Sequence, residues 1–427
     1  MTLIIHFLPM LLFVTLYLGT GIYFAAMEVE NAFYQLPPTA AIIPALVLSW
    51  ILHQGSIQER MHRFLDGVRH RDIITMCVIF LLAGAFSTIT KTIGSADATV
   101  NLALSLVSPR YLLMGVFLTA AFISTAIGTA LGTIATLGPI ALGLSQQGAF
   151  PLELGMATVV AGSIFGDNLS IISDTTIAAV MSQGADMRKK LRINAEVAAV
   201  ASLVTLLILF FVHDNEIVVQ SKEYSLFLIT PYLFLIGLAV SGVNVFVSLV
   251  LALAFSGAVG YIHGGYSLLD LSRDIDHGFA SMREIMMLSM MVGGLSGLTG
   301  KGSETLAVRL VGFASRRESK KIAQLLIAKT VSIFDLLLAN NVIATICSGE
   351  IAREISKKYH IPPHYSAAWL DSFSCVFQGI IPYGAQVLLA SAIAGVSPLS
   401  IMGHVYYCYV LGIVSVLYIL CIKKLRD

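Results

Sequence analysis

The stretch Gly166-Asp167-Asn168-Leu169-Ser170-Ile171-Ile172-Ser173-Asp174-Thr175-Thr176 sets two carboxylates and four hydroxyls inside an otherwise apolar run, residues 151–185. Ionisable groups at membrane depth are expensive and are functional candidates by default. The run exceeds the roughly 20 residues that one span needs, which leaves room for an interruption at the polar stretch. The rest of the chain has the same character. Of 427 residues, 57% are hydrophobic and 12% charged, against about 25% charged in soluble domains. This is the composition of an all-α polytopic membrane protein. A formal net charge of +1 points to no nucleic-acid partner.

Cys77, Cys347, Cys375, Cys408 and Cys421 all fall in apolar segments with no zinc or redox spacing. The first residues, to about Ala26, lack a basic start and a small-residue cleavage site, so they read as a first span. Gly300-Lys301-Gly302-Ser303 lacks the spacing of a phosphate-binding loop. The expectation is a transporter without cofactor rather than an enzyme.

Spans are predicted at residues 3–27, 38–54, 72–90, 151–185, 193–213, 226–240, 243–263, 282–300, 361–397 and 403–422, with apolar hairpins at 110–147 and 322–352. The order of elements in residues 1–213 recurs in 226–427: three spans, an interrupted hairpin, an interrupted span and a final span. A shift of 209 aligns Ile134-Ala135-Thr136 with Ile343-Ala344-Thr345 and Ile171-Ile172 with Ile380-Ile381. At that shift the mates of Asp167 and Asp174 are Val376 and Tyr383, so the carboxylates belong to one half only.

Charge sets the orientation, because cytoplasmic loops are rich in Lys and Arg. Basic clusters stand at Arg60/Arg63/Arg69/Arg71, Arg188/Lys189/Lys190/Arg192, Arg316/Arg317/Lys320/Lys321, Arg353/Lys357/Lys358 and Lys423/Lys424/Arg426. One arrangement satisfies them all. Each half crosses five times and adds a re-entrant hairpin, the halves have opposite topology, and both termini lie inside. The acidic positions Glu28/Glu30 and the linker 214–225, with Asp214 and Glu216, then lie outside. That is the inverted-repeat plan of secondary transporters, which bind near the midplane where helices are broken.

At such breaks backbone groups lose intrahelical partners, and an ion or cavity water can serve them. The readable breaks are Gly128-Thr129-Ala130-Leu131-Gly132-Thr133, Leu338-Ala339-Asn340-Asn341, the opening stretch, and Gln378-Gly379-Ile380-Ile381-Pro382-Tyr383-Gly384. Hydroxyl, amide and carboxylate oxygens together make a hard-oxygen site for a small cation. A desolvated carboxylate holds its proton more tightly, so proton and cation can compete for one group. Candidate ion ligands are Asp167, Asn168, Ser170, Ser173, Asp174, Thr175, Thr176, Thr129, Thr133, Asn340, Asn341, Gln378 and Tyr383. Sodium itself would rest on Asp167, Asp174 and Ser173. Helix capping is the plainer role open to Ser173 and Asp174. Asp335 could pair with Lys329 or join the site, Asp371 opens the second broken span, and Glu196 pairs with the basic cluster at 188–192.

On these residues the chain resembles the NhaC-type sodium/proton antiporter family, within the broader ion-transporter superfamily. The family's GDK-x-SPLSDTT-like segment corresponds to residues 166–176, and its GT-IATLG-like segment to Gly132-Thr133-Ile134-Ala135-Thr136-Leu137-Gly138. Its DSG and IPW segments become Asp371-Ser372-Phe373 and Ile381-Pro382-Tyr383. The family Lys is Asn168 here, the Pro after Ser is Ile171, and a Trp-Asn pair is Tyr383-Gly384. The resemblance implies ion-handling roles for Asp167, Ser170, Ser173, Asp174, Thr175 and Thr176. The function expected is exchange of cytoplasmic sodium for external protons in the inner membrane. The alternative is exchange of a small organic acid or amine coupled to sodium or protons. A channel would not need paired broken elements. The expected partners are lipid, sodium and protons, with a homodimer as the assembly left open.

Overall fold

Ser56 and Ser267 each open a short amphipathic helix with a reciprocal cap. The Ser56 hydroxyl accepts from the Glu59 amide at 3.2 Å, and the Ser267 hydroxyl accepts from the Asp270 amide at 3.2 Å. The acidic side chains return the bond to the serine amides at 2.9 and 3.0 Å. Such capping boxes satisfy helix-end donors that lack an intrahelical partner. The sequence reading treats both segments as loops, because their charged faces interrupt the apolar signal. In the structure each helix lays its other face against a span of the opposite half.

The computed structural model describes residues 2–27, 29, 35–53, 55–171, 173–212, 223–299 and 319–421. The acidic positions Glu28 and Glu30, most of the linker 214–225 with Asp214 and Glu216, Arg316 and Arg317, and the C-terminal Lys423, Lys424 and Arg426 lie outside these residues. The described residues form helices and no strand. The first half carries α1 (Thr2–Ala26), α2 (Pro38–Leu52), α3 (Ile57–Val68), α4 (Arg71–Thr92) and α5 (Ser95–Leu106). It continues through α6 (Pro109–Ile127), α7 (Ala130–Gln146), α8 (Leu152–Leu169), α9 (Asp174–Gln183) and α10 (Met187–Val212). The second half carries α11 (Leu226–Val240), α12 (Val245–His263), α13 (Leu268–Ser281), α14 (Arg283–Thr299) and α15 (Lys320–Leu338). Then come α16 (Asn341–Tyr359), α17 (Pro363–Ile380), α18 (Ala385–Ala394), α19 (Pro398–Met402) and α20 (Tyr406–Cys421). Among the described residues, six stretches are long and apolar enough to cross a membrane, and shorter apolar helices accompany them. The chain is an all-helical, polytopic membrane protein.

The hairpins and the broken helices fall where the sequence places them. The hairpin α6–α7 turns at Gly128 and α15–α16 at Ala339, both with left-handed backbone, φ 78° and 52°. Glycine takes that conformation freely; Ala339 takes it against its Cβ. The first broken helix is α8–α9 and the second α17–α18. Element boundaries recur, but the shift is 211 rather than 209. Helix α6 at 109–127 matches α15 at 320–338, α8 at 152–169 matches α17 at 363–380, and α9 at 174–183 matches α18 at 385–394. At this shift Asp167 meets Gln378 and Asp174 meets Ala385, which corrects the mates Val376 and Tyr383. The sequence identities behind 209 were too few to fix a register two residues apart.

The halves interlock. Helix α3 packs on α14 and α13 on α4, while α9 lies on α16 and α18 on α7. Small residues allow the closest approaches. A Cβ on Gly166 would stand 2.5 Å from the Ala121 carbonyl oxygen of α6, which is inside van der Waals contact. Around the midpoint, Phe117, Phe165 and Tyr407 stack edge to face or tilted with centroids 5.6 to 6.0 Å apart. Buried charged side chains, Asp167, Lys190, Asp335 and Asp371, stand among largely apolar packing.

Candidate functional site

Helix α8 ends at Leu169 and α9 begins at Asp174, so the last carbonyls of one and the first amides of the other have no helical partner. Asp167 lies in the last turn of α8 and is buried. Ser173, on the far side of the break, donates to Asp167 Oδ1 at 2.8 Å and lies 2.9 Å from the Thr175 hydroxyl. A carboxylate is thus tied across the gap by a hydroxyl chain. The charged groups close enough to act on Asp167 are Asp371, Asp174 and Lys190. Ser170 is buried at the C-cap of α8, and Asp174 is exposed at the first position of α9. Ser173 occupies the N-cap position with its hydroxyl turned to Asp167 rather than to a cap bond.

A second polar cluster lies beside the same break, and the sequence reading misplaces its centre. By sequence Lys190 belongs with Arg188, Lys189 and Arg192 to a cytoplasmic basic cluster. Those three are exposed, but the Lys190 side chain has 0% exposure and forms an ion pair with Asp371, also at 0%. The Lys190 ammonium also donates to the Thr176 hydroxyl at 2.9 Å and to the Asn168 carbonyl at 3.3 Å. It therefore joins both sides of the break. Asp371 Oδ2 accepts further from Asn194 at 2.9 Å, Asn168 at 3.2 Å and Thr176 at 3.3 Å. Asn194, absent from the sequence candidates, lies one turn beyond Lys190 on α10. The signal was available in phase: Lys190, Asn194, Val197, Ala198, Ala201, Thr205 and Leu209 form the buried stripe of α10. Glu196 stands off this stripe and pairs with Arg192 at 3.6 Å, as the sequence suggests.

The second break gathers Asp335, Gln378, Gln386 and Tyr383. Gln378, with its amide nitrogen facing the carboxylate, donates to Asp335 Oδ1 at 3.0 Å. The Tyr383 hydroxyl donates to the Leu336 carbonyl at 2.7 Å. Asp335 is buried while Lys329 is exposed, and none of the ion pairs among the described residues joins them. At the hairpin tips the observed bonds are local. Thr133 donates to the Thr129 carbonyl at 3.2 Å, and the Asn340 side chain accepts from the Ile343 amide at 2.9 Å as an N-cap. The Asn341 oxygen accepts from the Val342 amide at 3.1 Å.

A cavity of about 360 Å³ is walled by Arg63, Asp66 and His70 near α3, by Gly293 and Gly297 of α14, and by Leu338 and Ile343 at the second hairpin tip. Among the described residues, no group of three or more His, Cys, Asp and Glu side chains could hold a metal ion.

The chain is similar to several known proteins. The Na+/H+ antiporter family matches residues 2–214, the first half of the chain. The Na(+)/H(+) antiporter NhaC of Bacillus subtilis (strain 168) is 22% identical over 393 residues, covering 82% of this chain and 84% of that protein. The malate-2H(+)/Na(+)-lactate antiporter of the same organism is 23% identical over 192 residues, 43% of this chain and 40% of that protein. The Alcanivorax borkumensis YdaH transporter structure covers 96% of this chain and 97% of its own, at 16% identity and a TM-score of 0.43. The chain belongs to the Na+/H+ antiporter family, and it is a transporter, not an enzyme.

Proposed function

We propose that this transporter exchanges cytoplasmic sodium for external protons, with Asp167 as the carboxylate for which the two ions compete. The observation that carries the reading is the buried Asp167 carboxylate tied by Ser173 across the break between α8 and α9. A charge taken out of water is tolerated when it is neutralised, and either a proton or a sodium ion neutralises this one. Ser173 and Thr175 would supply neutral oxygens. Asp174, at the exposed start of α9, would receive the ion at the mouth of the site. The Lys190–Asp371 pair is compensated internally and needs no transported ion.

Movement follows from the same architecture. Residues 1–213 and 226–427 act as inverted repeats joined by an external linker, with both termini cytoplasmic, in the inner membrane. Only the neutralised carrier moves the break from one side to the other, and that restriction couples the two fluxes. Thr129, Thr133, Asn340 and Asn341 hold the hairpin tips that seal the site in turn.

The test uses proteoliposomes with an acidic lumen and a trapped pH dye. Sodium added outside alkalinises the lumen with the wild-type chain. Asp167→Asn lowers the rate at least about tenfold, equivalent to about 1.4 kcal/mol of lost stabilisation, and Asp174→Asn retains exchange with weaker apparent sodium affinity. Wild-type rates in Asp167→Asn would remove Asp167 from the coupling site.

The cavity supports a second reading. Small-molecule sites start at roughly 300 Å³, and this one holds about 360 Å³ with Arg63 and His70 on its wall. A small organic acid coupled to sodium or protons fits that volume, with Arg63 as its counter-charge and the Asp66 carboxylate on the same wall. If sodium, lithium and potassium all leave the lumen acidic, the same liposomes serve as a screen of small carboxylates.

A further inference from the structure

We propose that Asp335 is a second ion-coupling carboxylate, distinct from Asp167, at which a sodium ion and a proton exchange. The proposal rests on the antiport reading above and extends it to the second break. Asp335 lies in the last turn of α15, at 0% exposure. Gln378 donates to its Oδ1 at 3.0 Å, whereas its Oδ2 is buried with no hydrogen-bond partner. A buried carboxylate needs a counter-charge, a proton or a full set of donors. Among the described residues, none of the chain's cations pairs with it. Lys329 on the same helix is exposed, and Lys190 is committed to Asp371 on α17. The titratable side chain beside it is Tyr383, whose hydroxyl is spent on the Leu336 carbonyl.

The surroundings suit a desolvated monovalent cation. The Gln378 oxygen accepts from the Ala385 amide at 3.2 Å, and its amide lies 2.8 Å from that of Gln386, so neutral polar groups line the approach from α17 and α18. Leu338, one turn beyond Asp335, lines the cavity of about 360 Å³, so the cavity comes within a helical turn of Asp335 along α15.

The 211 shift gives the arrangement its logic. It relates Asp335 to Ser124 and Gln378 to Asp167. In the first half Ser124 packs on Gly166 and donates to the Ser163 carbonyl at 2.5 Å, beside the turn that holds Asp167. Leaving aside Asp371, which is paired with Lys190, each half sets one buried carboxylate on its hairpin arm or its broken helix. The broken helix carries it in the first half and the hairpin arm in the second.

The full-length chain is treated with dicyclohexylcarbodiimide, which modifies protonated carboxyl groups in apolar surroundings, in choline or in sodium buffer. Peptide mass mapping reads the sites. Asp335 is expected to be labelled in choline, and sodium at ten times its dissociation constant leaves about a tenth of that label. Asp371, paired with Lys190, stays unlabelled. In proteoliposomes Asp335→Asn is expected to lose at least about tenfold of sodium-driven proton movement, while Asp335→Glu retains a measurable part. Labelling of Asp335 that sodium leaves unchanged, or a wild-type proton count per sodium in Asp335→Asn, overturns the proposal. If the wild-type chain moves no protons with sodium, the antiport reading fails by itself. Sodium protection of Asp335 would then still establish the cation site.

Discussion

Lys190 and Asp371 form an ion pair between two fully buried side chains, and the sequence singles out neither as a ligand. The sequence shows Lys190 inside a run of basic residues, where positive charge reads as a cytoplasmic surface. Burial comes from phase: Lys190 falls on the inward stripe of α10 and its basic neighbours fall off it. Its ammonium satisfies the Asn168 carbonyl freed at the break and meets the Thr176 hydroxyl beyond it. Removing one partner of a buried pair strands the other, at a cost of about 3–5 kcal/mol. Lys190→Ala is therefore expected to lower the unfolding temperature in detergent steeply. The double change Lys190→Met with Asp371→Leu should recover most of that loss, since apolar replacement of a buried pair is often close to neutral. If Lys190→Ala melts like the wild type, the pair does not hold the break. Asp167, Ser173, Thr175 and Thr176, by contrast, were legible from their own stretch, because two carboxylates and four hydroxyls stand out within an apolar run.

Helices α8 and α17 are both interrupted, and their surroundings show what the sequence could and could not reveal. The interruptions were visible as Gly, Pro and polar residues within overlong apolar runs. The register between the halves was not, because paired positions differ in chemistry: Asp167 faces Gln378, and Ser124 faces Asp335 across the 211 shift. The amphipathic helices α3 and α13 were missed for a related reason. Their apolar faces are short and their charges dominate a hydropathy reading, so only the caps at Ser56 and Ser267 announce them. Close packing of α8 on α6 depends on Gly162 and Gly166, spaced four apart, which let the backbones approach. Gly166→Ala forces its Cβ against Ala121, Ser124 and Thr125. Overpacking of this kind costs about 1–3 kcal/mol, so a lowered unfolding temperature is expected together with slower exchange, because Asp167 rides on the same turn. Unchanged stability would show that α8 can shift away from α6 without loss.

Across the chain as a whole, composition and span lengths were enough to read a polytopic helical transporter, while the short helices α3, α5, α13 and α19 stand between the elements that the sequence reveals. The inverted arrangement is a proposal that rests on the charges of the loops, several of which lie outside those residues. The interlocking of α3 with α14 and of α13 with α4 makes each half a support for the other. The central claim is that sodium and a proton exclude one another at Asp167. It is tested most directly by adding sodium to the purified chain in weakly buffered detergent solution and recording the pH. Competition at the carboxylate predicts proton release that saturates with sodium, is absent with choline, and falls in Asp167→Asn. Sodium binding, seen by calorimetry, with no proton released from the wild-type chain would contradict it.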